Sequence, residues 1–522
     1  MKKFLLIGLI SVLLSGCSIL IDFNDILNDI LSNEVTNSTP SNNVITSTSV
    51  TTLEKDGDIN TIGLSGEEYL DYYSQVSGCE YLPSVGNPKM LVVPVLFKDT
   101  TASSLIKSSS QVLSDLDKAF NGTSNETGWE SVSSFYNKSS YGKLDIDADV
   151  LDYWITLDKT ILEIMSLNET QYLDPTWYVV DYVVNYLKNQ GMDMKKYDTN
   201  SDGFIDGIWL IYGSRNYTNT NSVLTSDFLW AYTFWQNRNV PLKENPTANV
   251  YCWGSYDFMY ETSALGSPLK IDAHTYIHET GHMLGLEDYY DYDEYSTISP
   301  AGCLDMMDYN IGDHNAYSKY MLGWIEPKVF DFSEEGGVYS LEPFESSGDA
   351  FIIPCSNKVN SSALEEYLIM EFYTPTGLNE LDATYQYSSK HPKMFTKPGI
   401  KIYHVDARLG KFKYQGDWKN DCYIRNFTYQ DLINETGYFN YFAIFASNTP
   451  SRSFNRDFKL LNLISSRYSS SKYYYNRTYA TNNDLFIRGD MVKKFNFNDG
   501  STFNYDIVIN YVGEKEARLI IE

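Results

Sequence analysis

Residues 278 to 288 read HETGHMLGLED and set two of the chain's six histidines four residues apart, with a glutamate directly after the first. On a helix, four residues make slightly more than one turn, so His278 and His282 share a face and their imidazoles converge on one ion. Glu279 then points about a hundred degrees away, within reach of a water at an open coordination position. Neutral imidazoles suit a borderline-soft cation, and three protein ligands leave a fourth position for solvent, which is the arrangement of hydrolytic zinc. Zn2+ brings its water's pKa toward about 7 and polarises a carbonyl, while Glu279 takes the proton as general base and passes it to the leaving amine.

A third ligand is required. Gly285 can end the helix in a left-handed conformation and turn the chain so that Asp288 swings back toward the ion. Asp288 is the expected ligand, with Asp291, Glu287 and His274 as competitors. Further on, GCLDMMDYNIGDHNAYSKYMLGWI places Met307 in a turn-prone segment about twenty residues past Asp288, with Tyr309 two residues later. A separate stretch, Asp198-Thr-Asn200-Ser-Asp202-Gly203-Phe-Ile-Asp206, has oxygen ligands at alternating positions and a glycine at the sixth, like the start of a Ca2+ loop. Trp209 at position twelve cannot ligate, so an Asp/Asn-rich turn leading into a strand is the competing reading.

The elements that must position these residues are legible in outline. LVVPVLF (91–97) and GIWLIYG (207–213) have buried-strand character, with Pro94 arguing for an edge or a bulge. Residues 109–120 and 129–138 read as helices, KLDIDADVLDYWITL (143–157) alternates like a strand or hairpin, and WYVVDYVVNYLKNQG ends a helix at Gly191. Beyond Trp324, short β-like runs such as VYSLEPF, YLIMEFY, GIKIYHVDARL and YDIVINYV follow one another between Gly, Asn, Ser and Pro. The expectation is an α+β chain, with a mixed-sheet catalytic domain over 63–325 and an all-β, sandwich-like domain over 326–522.

The first seventeen residues carry Lys2 and Lys3, an apolar run from Phe4 to Leu14, and Leu14-Ser15-Gly16-Cys17. The run is too short to span a bilayer and reads as a signal peptide (1–17) with a bacterial lipobox, which predicts lipidation of Cys17 and a membrane-anchored, extracytoplasmic enzyme. Residues 18–62, rich in Ser, Thr and Asn, read as a flexible tether. With 40 Lys and Arg against 68 Asp and Glu, the net charge of -28 disfavours nucleic acid as a partner. The five cysteines after Cys17 are not paired at metal-site spacing, and their number leaves at least one thiol free.

HETGHMLGLEDYYD, followed by LDMMDY and AYSKYMLGWI, resembles the immune inhibitor A family of secreted bacterial zinc metallopeptidases. SVSSFYNKSSYGKLDIDADVLDYWITL, DTNSDGFIDGIWLIYG, YLIMEFYTPTGLN and GIKIYHVDARL are similar to family segments in the same order, so the likeness covers about residues 85 to 410. The resemblance implies a metzincin-like catalytic domain, protein or peptide substrates, His278, His282 and Asp288 on zinc, Glu279 as base and Met307 as the turn methionine. Tyr309 resembles the tyrosine that follows that methionine in astacin-like metzincins, where it contacts the metal or the oxyanion. Glu287 stands where the family pattern has proline, and Ala316-Tyr317 replaces Ala-Trp. The runner-up expectation is a non-catalytic surface lipoprotein that binds protein or glycan, suggested by an aromatic content of 15%.

Overall fold

A computed structural model describes residues 64–169, 174–217, 227–261, 268–292, 299–308, 310–355, 362–387, 393–413, 422–424, 440–449, 458–467 and 479–522. The leader with Cys17, the tether and Tyr309 lie outside these described residues. The chain is a mixed α/β protein.

In the first half, β1 (Lys89–Leu96), β2 (Asp147–Val150), β3 (Ile155–Thr156), β4 (Gly207–Tyr212), β5 (Tyr232–Trp235) and β6 (Val250–Ser255) form one sheet in the order β2-β1-β4-β6-β5, with β3 also on β1. All pairs are parallel except β5 with β6. Both faces are covered, and alternate side chains enter different cores, as a period of two requires. Met90 and Val92 of β1, with Trp209 and Ile211 of β4, pack on one side; Leu91, Val93, Val95, Ile208 and Leu210 pack on the other.

Helices α1 (Gly66–Ser77), α2 (Ser109–Asn121) and α3 (Val132–Ser139) lie on the first side, and α4 (Thr176–Asn189) covers the second with Val180, Val183, Val184 and Leu187. The helices expected near 109–120 and 129–138 are therefore present.

Two expectations need correction. β1 is an interior strand rather than an edge. Its pairing with β2 ends at Val92 and its pairing with β3 begins at Val95, so Pro94 falls in the gap between two short neighbours. Val92 O and Leu96 O both accept bonds from that side, and Pro94 shares their parity, so its missing N–H faces the gap. The segment 143–157, expected as a strand or a hairpin, holds two short strands and no hairpin, because β2 and β3 both run parallel to β1.

The second half contains β7 (Lys328–Val329), β8 (Gly337–Leu341), β9 (Ala350–Pro354), β10 (Glu366–Tyr373), β11 (Gly399–Asp406), β12 (Leu409–Lys413), β13 (Cys422–Ile424), β14 (Asn440–Ile444), β15 (Leu461–Ile464), β16 (Met491–Asn496), β17 (Thr502–Val512) and β18 (Ala517–Ile521). The sheet β15-β11-β10-β9-β7 faces the sheet β16-β17-β18-β8 across a core that includes Phe351, Leu368, Ile402, Phe503, Ile507 and Leu519, a sandwich-like arrangement. This half is not purely β, since a short helix, Glu380–Thr384, follows β10.

The opposite face of the five-stranded sheet joins the first half. Ile352, Ile369, Tyr403 and Leu461 share one continuous core with Tyr289, Met307 and Trp324. Buried polar groups reinforce the seam. Glu371 on β10 accepts the backbone N–H of Ala316 at 2.7 Å and pairs with Lys401, while fully buried Lys319 bonds Asp313 at 2.6 Å and Tyr141 Oη at 3.0 Å.

Glu365, just ahead of β10, is mostly buried, and its Oε1 has no hydrogen-bond partner among the described residues. Burial pushes its carboxyl up from the ordinary 4.5 to about 8. Because the folded state binds this proton more tightly than the unfolded chain, its stabilisation is full below about pH 4.5 and is lost as pH climbs through about 8. Glu365→Gln is expected to remove that slope, so denaturation midpoints measured from pH 5 to 9 should fall less steeply in the variant than in the wild type.

Candidate active site

The HETGHMLGLED stretch forms α5 (His274–Met283), whose buried face places Tyr276 and Ile277 in the core beneath the sheet. Gly281 is required by contact, since a Cβ there would collide with Met307 Sδ and lie 3.2 Å from Tyr136 Oη. Tyr136 Oη in turn donates to Ile277 O at 2.7 Å, so α3, α5 and the methionine turn lock together. The helix ends in a turn at Gly285, which has φ +94, with Leu286 N–H donating to Gly281 O at 3.0 Å. A Cβ at Gly285 would also strike the Leu70 side chain of α1.

That turn returns Asp288 to the helix. Its Oδ1 lies 3.0 Å from His278 Nε2 and its Oδ2 lies 3.4 Å from His282 Nε2, while the two rings stand 5.0 Å apart and nearly perpendicular. The other ring nitrogens are occupied: His278 Nδ1 lies 2.8 Å from Met306 O, and His282 Nδ1 lies 2.8 Å from Leu286 O. A carbonyl can only accept, so each Nδ1 carries the proton, which leaves the Nε2 lone pairs toward Asp288.

Both Asp288 oxygens are buried, and neither has a hydrogen-bond partner among the described residues, although two imidazoles stand within ion-pair distance. The rings are close to the carboxylate without being aligned on it. Burial works against charge in all three groups, yet Asp288 raises His282 to about 9 and the two histidines hold Asp288 down at about 2. Imidazolium pairing would account for those directions but not for the missing alignment. A cation bound by the three donors would account for the unaligned, unpartnered carboxylate, and His278, His282 and Asp288 offer donor atoms within 4.8 Å of one another.

Asp291 and Glu287 stay outside this group. His274 has its ring 6.4 Å from that of His278, and its Nδ1 lies 3.4 Å from Tyr387 Oη. Tyr387, from the second half, also bonds Asp272, whose carboxyl is pushed up to about 6 by burial. Cys79 is fully buried, its thiol is pushed up to about 12 by desolvation, and it too lies outside the metal group.

Glu279 is 6% exposed and sits against the edge strand β5. Thr233 Oγ1 donates to Glu279 O at 2.8 Å and lies 3.1 Å from Glu279 Oε2, and Cys252 Sγ, across the β5-β6 pair, lies 3.4 Å from Glu279 O. Burial raises the Glu279 carboxyl above its ordinary range, with both histidines pulling the other way. Thr233 was not visible as a site residue in the sequence, because nothing in a four-residue strand says which side chain faces a helix formed some 45 residues later.

The methionine turn is organised by Asp305, another residue that the motif reading passed over. Its carboxylate accepts the N–H groups of Met307 at 2.7 Å and Asn315 at 2.6 Å, and lies 3.1 Å from His314 Nδ1. Met307 O then accepts from Tyr289 N–H at 2.8 Å, tying the turn to the residue beside Asp288.

At the candidate calcium loop, Asp198 accepts the N–H groups of Asp202 at 3.0 Å and Gly203 at 3.1 Å, and Asn200 Oδ1 accepts that of Asp202 at 3.1 Å. Asp206 accepts the N–H groups of Thr199 and Lys89, both at 3.0 Å. These oxygens close a turn beside β1, and no metal-type grouping of the three carboxylates occurs among the described residues. A second grouping, Cys355, Glu366 and Asp499, lies in the β half, but Glu366 already holds His404 at 2.9 Å and Arg408 at 3.3 Å.

No family model matches the chain, and no curated protein matches it. Asp288→Asn keeps the shape of the side chain but removes its charge, and is expected to weaken zinc binding by at least about 100-fold. Competition against a chromophoric zinc chelator measures it; affinity equal to wild type would remove Asp288 from the shell.

Proposed function

We propose that this chain is a zinc-dependent endopeptidase of metzincin-like type, similar to immune inhibitor A, that acts on extracellular proteins or peptides. The observation that carries the reading is the buried Asp288 carboxylate, approached by two imidazoles whose outer nitrogens are engaged by Met306 O and Leu286 O. The left-handed Gly285 and the contact of Met307 with Gly281 support the metzincin-like assignment.

His278, His282 and Asp288 would hold the ion. When bound, zinc supplies Lewis acidity, lowering the pKa of a water and polarising a scissile carbonyl. Glu279 acts on the proton. Its carboxylate is confined on the β5 side by Thr233, and its raised pKa suits a group that must take a proton near neutral pH and then release it to an amine. Thr233 carries one hydroxyl hydrogen between two acceptors, Glu279 O and Oε2, so it can steady the carboxylate when charged and turn to the backbone once the carboxyl is protonated. The expected lipobox at Cys17 would hold the enzyme on the outer side of a bacterial membrane, with residues 18–62 as the tether.

Glu279→Gln is expected to lower kcat by about 10²- to 10⁴-fold on casein-derived peptides while zinc content stays stoichiometric. Loss of zinc instead would make Glu279 a structural support, full activity would remove Glu279 as the base, and an inert wild type under zinc-replete conditions would favour the binding-protein reading. Thr233→Val should lower kcat roughly tenfold with KM little changed, and Thr233→Ser should restore it.

A further inference from the structure

Gly312 lies between the methionine turn and helix α6 (Ala316–Met321), and its φ is outside the left-handed region, so its backbone does not call for glycine. Its surroundings do. A Cβ there would lie 3.0 Å from Asn310 Oδ1, 3.1 Å from Asn379 Oδ1 and 3.1 Å from Asp382 Oδ2. Three side-chain oxygens from two distant segments therefore face one small space, which the missing methyl group leaves open.

The carboxylate among them is out of balance. Asp382, on α7 (Glu380–Thr384), is 3% exposed, and its Oδ2 has no hydrogen-bond partner among the described residues. Burial pushes the carboxyl up to about 8; the N–H groups of Ile311 and Gly312 pull it partly back, and no cationic side chain among the described residues contributes. The two amides are already oriented: Gly312 N–H donates to Asn310 Oδ1 and Asp313 N–H to Asn379 Oδ1, at 3.2 Å in the second case, and each oxygen keeps a second lone pair.

We propose that Asp382, Asn310 and Asn379 bind a calcium ion that ties the loop 305–315 to α7. A carboxylate with two amide oxygens is a hard, all-oxygen donor set, which excludes zinc as the preferred occupant. Calcium accepts irregular shells of six to eight oxygens, whereas magnesium demands a near-ideal octahedron and gives up its water reluctantly. Asn379 is only partly buried, so the site opens toward solvent on its side, where waters complete the shell. The ion neutralises a carboxylate that has no other counter-charge among the described residues. It also braces the segment that continues from α7 to Tyr387, whose hydroxyl bonds Asp272 just ahead of α5. The site is separate from the zinc group and from the Asp198 turn, and stands whether or not the chain is a peptidase.

The test uses full-length, zinc-replete protein desalted into calcium-free buffer, with bound calcium counted by equilibrium dialysis and the thermal midpoint followed as calcium chloride is added. The wild type is expected to bind calcium at this site and to gain thermal stability from it. Asp382→Asn, which keeps the shape of the side chain, should lose one equivalent and most of the gain, and Asn379→Ala, at a partly exposed position, should weaken the same equivalent by roughly tenfold or more. Zinc content should be unchanged in both. Calcium stoichiometry in Asp382→Asn equal to that of the wild type, including none in either, overturns the proposal and leaves Asp382 as a neutral acid donating to one of the amides.

Discussion

The candidate centre depends on two hydrogen bonds from imidazole Nδ1 atoms to backbone carbonyls. Met306 O and Leu286 O fix the tautomer and rotation of His278 and His282 together, and only with both rings set does the Asp288 carboxylate meet two Nε2 lone pairs. Each carbonyl belongs to an irregular segment held from outside. Leu286 follows the Gly285 bend packed under Leu70, and Met306 lies in a turn whose amides are collected by Asp305. Small displacements of either segment would rotate a ring, so the precision of the centre rests on loops more than on the helix that displays the histidines.

Those loops are anchored by the β half. Asn448 Nδ2 donates to Tyr289 O at 2.8 Å, Thr449 Oγ1 accepts from Tyr292 N–H at 3.1 Å, and Leu463 N–H donates to Pro300 O at 2.8 Å. With Glu371 capping Ala316 and one core running through both halves, the division near residue 326 marks a change of secondary structure rather than a separable partner. The second half therefore acts as part of the scaffold around the candidate metal ligands.

The grouping of the candidate site residues was easier to read from the sequence than its supports were. His278, Glu279, His282, Gly285, Asp288 and Met307 are close in sequence and obey helical or turn spacing, and the structure brings them together. Thr233, Asp305 and Tyr387 reach the same region from distant segments, and their roles depend on strand register and loop packing that no short window encodes. Pro94 shows the same gap: its effect on the ladder was plain, but two short strands sharing one side of β1 could not be inferred from local pattern.

Helix α1 opens with a capping box in which Ser65 and Glu68 exchange side-chain and backbone bonds at 3.1 and 2.8 Å. Its Leu70 fills the space over the Gly285 bend, and the hydroxyls of Tyr69 and Tyr72 accept N–H groups from Ile444 and Phe442 of β14. Proteolytic trimming that stops ahead of Ser65 leaves this cap and wedge in place. A cut beyond Leu70 would strip the wedge from the bend and let the returning carboxylate drift.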